Sequence, residues 1–381
     1  MASAATPETA NDAVAKRGRF YRPELDCLRF FAFFAVFIYH TLSSDPTYYS
    51  ARHVPFGTLM ASAASAGRFG VDLFFLLSAY LITELLLREL EQFGKVDLGS
   101  FYLRRILRIW PLYFFGILIA VLLPLVDPGE YFPLKYGVAF VLMSGNWLIT
   151  FGLPAQSLMM SLWSVSFEEQ FYLLWSSFIS RTRRAQSLLY ASAVLLVTAT
   201  LARLILLGHA RAVHSEVLIF TNTLTRLDPL ALGIATAVLL RKRRLALAWI
   251  TRLALFLAGC ALWLAAGHFY SLALSFMLLG YPAMAVGALL IFLSVLGSPL
   301  APRWLRYLGK ISYGLYVFHE LALALSAKMM GGYVHSLRLF AVYWLLGLSM
   351  TILTAALSYR FLESPFLRLK ERFTRVKSRP V

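Results

Sequence analysis

Charged residues are scarce in this 381-residue chain, at 14%. A soluble domain carries about a quarter. That shortfall, with 59% hydrophobic residues and a mean hydropathy of +0.69, excludes an ordinary soluble protein. Cysteine is almost absent. Cys27 and Cys260 both fall in apolar stretches, which suits packing and speaks against a disulfide framework or a thiolate metal site. Acids are outnumbered, 19 against 36 bases, for a net charge of +17. Nucleic-acid binders show a similar excess, but gather it on one soluble face. Here the bases form short clusters between hydrophobic runs, so no nucleic-acid partner is expected.

Long hydrophobic runs dominate what is present. They lie at about 27–43, 70–88, 110–126, 134–150, 162–180, 186–208, 227–240, 245–267, 271–297, 311–330 and 338–362. Most approach the ~20 residues a helix needs to cross a bilayer. The fold class predicted is an all-α, polytopic transmembrane helix bundle. Basic clusters at Lys16–Arg19, Arg104–Arg108, Arg181–Arg184, Arg241–Arg244, Arg303–Lys310 and Arg368–Lys377 belong on the cytoplasmic side. From a cytoplasmic N-terminus, all six reach that side only if one of the runs 134–150 and 162–180 fails to cross. The expectation is ten crossings plus one re-entrant or interfacial segment around 134–160, with both termini cytoplasmic. Gly145, Asn146, Gly152 and Pro154 interrupt that segment. Residues 1–20 read as a disordered cytoplasmic arm, 21–368 as the membrane domain and 369–381 as a basic cytoplasmic tail. The first span itself is expected to direct insertion, with no signal peptide ahead of it.

Ionisable groups inside such runs are costly and mark functional sites by default. YRPELDCLRFFAFFAVFIYH (21–40) carries Arg29 and His40 eleven positions apart. On a helix they share a face to within about 20°, roughly 16 Å apart along the axis. RFGVDLFFLLSAYLIT (68–83) places Asp72 near the start of a span, where a capping role competes with a functional one. SLWSVSFEEQFYLLW (161–175) buries Glu168 and Glu169, which point about 100° apart. One is expected to be catalytic and the other paired with an arginine. The parity assignment sets these carboxylates at a depth similar to His40, so His40 and one of them are expected to share a polar cavity. A carboxylate beside a histidine can orient it as a general base.

In FYLRRILRIWPLY (101–113), Arg104, Arg105 and Arg108 serve either as cytoplasmic anchors or as a guanidinium cluster for a phosphorylated ligand. Ser312 and His319 in SYGLYVFHE share a helical face, and His319 reads as a second site histidine or an interface residue. Near the last span, Glu363 is expected to pair with Arg360.

Five of these stretches resemble acyltransferase family 3, in the order seen there: YRPELDCLRFFAFFAVFIYH, FGVDLFFLLSAYLIT, FYLRRILRIWPLY, LWSVSFEEQFYLLW and SYGLYVFH. The resemblance runs from about Arg22 to Arg368. It implies an integral membrane O-acyltransferase moving an acyl group, in the first instance acetyl, from acyl-coenzyme A to a hydroxyl of a carbohydrate or glycolipid acceptor. The bacterial cytoplasmic membrane is the implied location. His40, Glu168, Glu169, Arg29 and Asp72 match the family's catalytic positions, with Arg29 and Asp72 positioning the histidine or the thioester carbonyl. Arg104, Arg105 and Arg108 would contact coenzyme A, and Ser166, Tyr172, Tyr313 and His319 are candidates for the acceptor. No metal is implied. Ala79 stands where the family commonly has glycine, and Ser176 where it usually has proline, so local packing and a kink at those points are open. Without the resemblance, the same charges would also suit a proton-coupled transporter or flippase.

Overall fold

The computed structural model describes residues 20–374, except 128, 153–156, 183, 210–214, 242, 244, 271–273 and 332–336. The arm assigned to 1–20, apart from Phe20, and the tail beyond 374 lie outside the described residues. Among the described residues the regular structure is entirely helical. The chain runs α1 (Pro23–Thr41), α2 (Pro46–Ser50), α3 (Gly57–Gly67), α4 (Gly70–Phe93), α5 (Leu98–Leu122), α6 (Leu134–Val141), α7 (Gly145–Thr150), α8 (Trp163–Arg181) and α9 (Ala185–His209). It continues as α10 (Ser215–Thr221), α11 (Asp228–Leu239), α12 (Trp249–His268), α13 (Tyr281–Val295), α14 (Arg303–Lys310), α15 (Ser312–Met329), α16 (Leu337–Ser358) and α17 (Ser364–Glu371).

Local chemistry sets several boundaries. Pro23 opens α1, where its missing N–H is harmless. Asp97 caps α5 by accepting from Ser100 N at 3.0 Å. Gly94, at φ +69°, ends α4 in the left-handed region that glycine favours. The run 134–150 does not form one helix. It breaks into α6 and α7 around Met143, which itself adopts φ +54°.

Six helical stretches among the described residues are long and apolar enough to cross a membrane. The helices α1, α8 and α15 have 19, 19 and 18 residues but fall short in apolarity. They are the helices that carry Arg29 and His40, Glu168 and Glu169, and His319. The polar residues that mark the site are what lower their hydropathy.

Helix α4 is the most buried of the six stretches and packs against α1, α8, α11 and α13. Its contact with α11 needs Gly233. A Cβ there would stand 2.5 Å from the Leu76 carbonyl oxygen and 2.9 Å from Ala79 Cβ. The close approach that a glycine at 79 would allow is therefore supplied from the facing helix. Ser176 leaves α8 unbroken and donates to Tyr102 OH at 2.9 Å.

Two buried ion pairs join α4, α9 and α11. Arg226, just before α11, donates to Asp72 on α4 at 2.5 Å. Arg203 on α9 grips both Asp228 oxygens, at 2.6 and 3.1 Å, and donates to Thr225 O at 2.8 Å. Both guanidiniums face the Tyr281 ring. Charges inside a membrane protein pair with one another in this way because neither is tolerated alone. The expected Arg360–Glu363 pair takes another form: Arg360 is exposed against the Phe361 ring, while buried Glu363 accepts from Ser358 at 3.4 Å.

Candidate active site

The start of α1, the middle of α4 and the starts of α5 and α15 surround a cavity of about 150 Å³, closed on its remaining side by α8. Its walls carry four guanidiniums, from Arg22, Arg29, Arg105 and Arg108, and two carboxylates, from Asp26 and Glu168. Helical spacing explains the gathering. Arg105 and Arg108 are three residues apart and lie on one face of α5. Ser78 lies one turn in from Phe75 on α4, beside the cavity lining of α8.

Each carboxylate is held by neighbours. Glu168 accepts from Ser78 Oγ and from Tyr172 OH, both at 2.8 Å. Asp26 accepts from Tyr21 OH at 2.8 Å and from Arg29 Nη1 at 3.1 Å. Arg105 lies over the Tyr172 ring, 5.1 Å from its centre. Tyr313 donates to Ile109 O at 3.1 Å, fixing its ring against α5. Trp175 Nε1 donates to Thr83 Oγ1 at 2.8 Å, so α4 and α8 are joined twice along their length. A smaller adjoining cavity shares Arg105 and Arg108 and adds Arg104, Lys370 and Glu89. Arg104 is already engaged there, with Glu89 at 3.2 Å and the Phe373 carbonyl at 2.9 Å.

The structure thus brings together Arg29, Arg105, Arg108, Glu168, Tyr172 and Tyr313 among the residues singled out from sequence. It does not bring the rest there. Ser166 is fully buried in the core, within 2.9 Å of Tyr113 OH. Asp72 is committed to Arg226 and is not part of the cavity lining. Glu169 faces elsewhere, with Oε1 buried and without a hydrogen-bond partner among the described residues.

His40 is the main correction. The described contacts set it not beside Glu168 or Glu169 but beside His319, with ring centres 4.8 Å apart. The reason is depth. Ser164, one turn and about 6 Å along α8 from Glu168, donates to Tyr316 OH at 2.8 Å. His319 lies almost a turn beyond Tyr316 on α15, so His40 meets α15 in a layer past Glu168.

That second layer has its own geometry. His319 is fully buried, and its Nδ1 stands 2.6 Å from the Tyr316 carbonyl oxygen. A carbonyl only accepts, so Nδ1 carries the proton and Nε2 presents a lone pair. Nε2 is buried with no hydrogen-bond partner among the described residues. His40 is exposed at the end of α1. Ligand-type atoms of His40, His319 and Glu320 all lie within 4.8 Å of one another. Glu320 was missed from the sequence, although its place directly after His319 was a visible signal. Gln170 was passed over too. It bonds Met143 O and Asn146 Oδ1, both at 2.8 Å, and so ties the broken α6–α7 segment to α8.

A family model described as an acyltransferase domain matches residues 22–360. The chain belongs to this family, acyltransferase family 3. Among its relatives, YrhL of Bacillus subtilis (strain 168) is 30% identical over 377 residues, covering 91% of this chain and 55% of the relative. The O-acetyltransferase OatA of Staphylococcus aureus (strain NCTC 8325 / PS 47) is 28% identical over 375 residues, covering 91% and 57%. The peptidoglycan O-acetyltransferase OatA of Listeria monocytogenes (strain EGD-e) is 28% identical over 384 residues, covering 91% and 56%. The chain therefore spans a little over half the length of these curated relatives. No solved structure matches it. In this acyltransferase-family chain, the guanidiniums and carboxylates of the cavity and the histidine layer all fall inside the matched span.

Proposed function

We propose that the chain is a membrane O-acetyltransferase that takes an acetyl group from acyl-coenzyme A and delivers it to a hydroxyl of a carbohydrate, with peptidoglycan sugars as the first acceptors to try. The bundle crosses the membrane ten times on this reading, with α6 and α7 as the segment that does not cross and the termini in the cytoplasm. The observation that carries it is the link between two layers: Tyr316 both walls the arginine-rich cavity and anchors His319 beside His40. Four guanidiniums against two carboxylates suit an anionic ligand, since arginine hydrogen-bonds phosphate in a fixed fork. The positive-inside rule sets that cavity at the cytoplasmic end, where the donor is found. Its nucleotide phosphates would meet Arg29, Arg105 and Arg108, and its thioester arm would reach past Ser164 and Tyr316. Arg29 and His40, roughly 16 Å apart along α1, mark the two ends of that path.

At the outer layer His40 acts as the general base. The acceptor hydroxyl gives its proton to His40 as its oxygen bonds to the thioester carbonyl carbon. The carbon–sulfur bond then breaks, and the departing thiolate takes the proton from His40 to leave as free thiol. Glu168, held by Ser78 and Tyr172, helps to shape the donor pocket. The relatives named for peptidoglycan and the family match support the acceptor class.

The test is thiol release from acetyl-coenzyme A by purified protein, with and without peptidoglycan fragments and other saccharides. Wild type should release thiol only when an acceptor is present. His40→Ala should lose about 10²–10⁴-fold in rate while still binding donor. A folded wild type that neither binds nor turns over acyl-coenzyme A would overturn the reading.

A further inference from the structure

Resting on the reading of His40 as base, we infer that His319 is a positioning residue: its Nε2 lone pair accepts the N–H of His40 and so fixes which His40 nitrogen faces the acceptor hydroxyl. The argument starts from the tautomer. The carbonyl of Tyr316, 2.6 Å away, obliges His319 Nδ1 to carry hydrogen, leaving Nε2 as an acceptor. An imidazole acceptor buried without a partner is costly, so its partner is supplied in the working state. The candidates within reach are few. His40 is within reach and carries an N–H on whichever nitrogen holds its proton.

His40 is free to complete the bond. It is exposed at the last turn of α1, with its ring centre 4.8 Å from that of His319 and the planes inclined at 73°. Its orientation is set by no hydrogen bond among the described residues, and a ring nitrogen already lies within 4.8 Å of one of His319. Catalytic hydrogen bonds are commonly long without substrate and tighten in the complex. His319 itself cannot turn, because Tyr316 O holds one nitrogen while Phe33 and Tyr316 border the ring. A rigid buried acceptor behind a mobile exposed base is the arrangement in which a third group orients a general base.

The experiment compares His319→Leu and His319→Gln with wild type and His40→Ala, reading donor affinity, kcat and KM for an active saccharide. The glutamine side-chain oxygen can replace Nε2 as acceptor; leucine cannot. His319→Leu should lower kcat about 10²-fold or more, with donor binding unchanged. His319→Gln should recover activity to within about tenfold of wild type, since the hydrogen bond is what matters. Equal inactivity of the two variants with intact donor binding would overturn the inference, as would wild-type kcat in His319→Leu. Stoichiometric bound metal and loss of activity on chelation would also overturn it, by making the three groups ligands. If His40→Ala keeps its activity, the base assignment fails first and this inference with it.

Discussion

Two regions of the bundle hold arginine and carboxylate side chains on otherwise apolar helices, and they differ in how fully the charges are matched. In the layer joining α4, α9 and α11, Asp72 meets Arg226 and Asp228 meets Arg203, one acid to one base, and all four are buried. Around the cavity, four guanidiniums and two carboxylates line open volume, and a third acid, Glu24, reaches Arg22 at 3.8 Å, so bases still outnumber acids. The same residue types therefore serve opposite ends. Matched and sealed charges fix helix against helix, whereas a surplus of one sign beside a cavity is a reason for a ligand to enter. Residue type and hydropathy do not separate the two cases; partner count and accessibility do.

The largest effect that would break this comparison is on stability. Arg203→Met leaves Asp228 buried without its bidentate partner, and Arg226→Met leaves Asp72 buried without its single guanidinium hydrogen bond. Orphaning one member of a buried pair costs about 3–5 kcal/mol. Both variants should therefore unfold earlier in thermal or denaturant titrations, with the folded fraction keeping the donor affinity of wild type. A variant as stable as wild type but unable to bind donor would move Asp72 or Asp228 from scaffold to site.

The converse holds at the cavity. Arg105→Gln and Arg108→Gln remove charge from a wall where the guanidiniums outnumber the acids. A hydrogen bond to a charged group is worth about 1.5–3 kcal/mol, so each should weaken donor binding by roughly tenfold to a hundredfold. The midpoint of unfolding should stay near that of wild type. Binding of coenzyme A measured by calorimetry checks the first statement, and a melting curve the second. Unchanged affinity in both variants would leave the cluster as a membrane anchor.

The fold class was legible because helices in a bilayer must satisfy their own backbone, and hydrophobic runs of the right length record that demand. Even the interrupted run at 134–150 showed its break, through Gly145 and Asn146, although the left-handed turn falls on Met143, which no composition rule would choose. The gathering of Arg29, Arg105, Arg108 and Glu168 was partly legible, since each stands out against apolar neighbours. What could not be read was depth. Periodicity gives a face around a helix axis, but the level at which two helices meet depends on tilt and stagger. His40 was accordingly placed with Glu168 or Glu169, whereas its ring meets His319, beyond the level of the Ser164–Tyr316 contact. Asp72 stayed open between a structural and a functional role for a related reason: its partner, Arg226, lies 154 positions away, and no local pattern announces a contact of that range.

The smallest expected effect tests whether distance alone distinguishes the regions. Lys328 Nζ and Asp127 Oδ2 stand 2.5 Å apart, as close as Arg226 and Asp72, but Lys328 is exposed at the end of α15. The hydrogen bond from Lys328 holds the Asp127 carboxyl below its ordinary pKa. A carboxyl lowered in the folded state contributes its stability above the unfolded pKa and loses it as pH falls through the folded one. Water competes for both groups here, and exposed pairs contribute little. Lys328→Ala should therefore leave the unfolding midpoint unchanged at neutral pH, and the two proteins should stay indistinguishable through the acid range where Asp127 titrates. A clear loss of stability would mean that proximity, rather than burial and matching, governs these pairs, and the contrast between the sealed layer and the cavity would have to be redrawn.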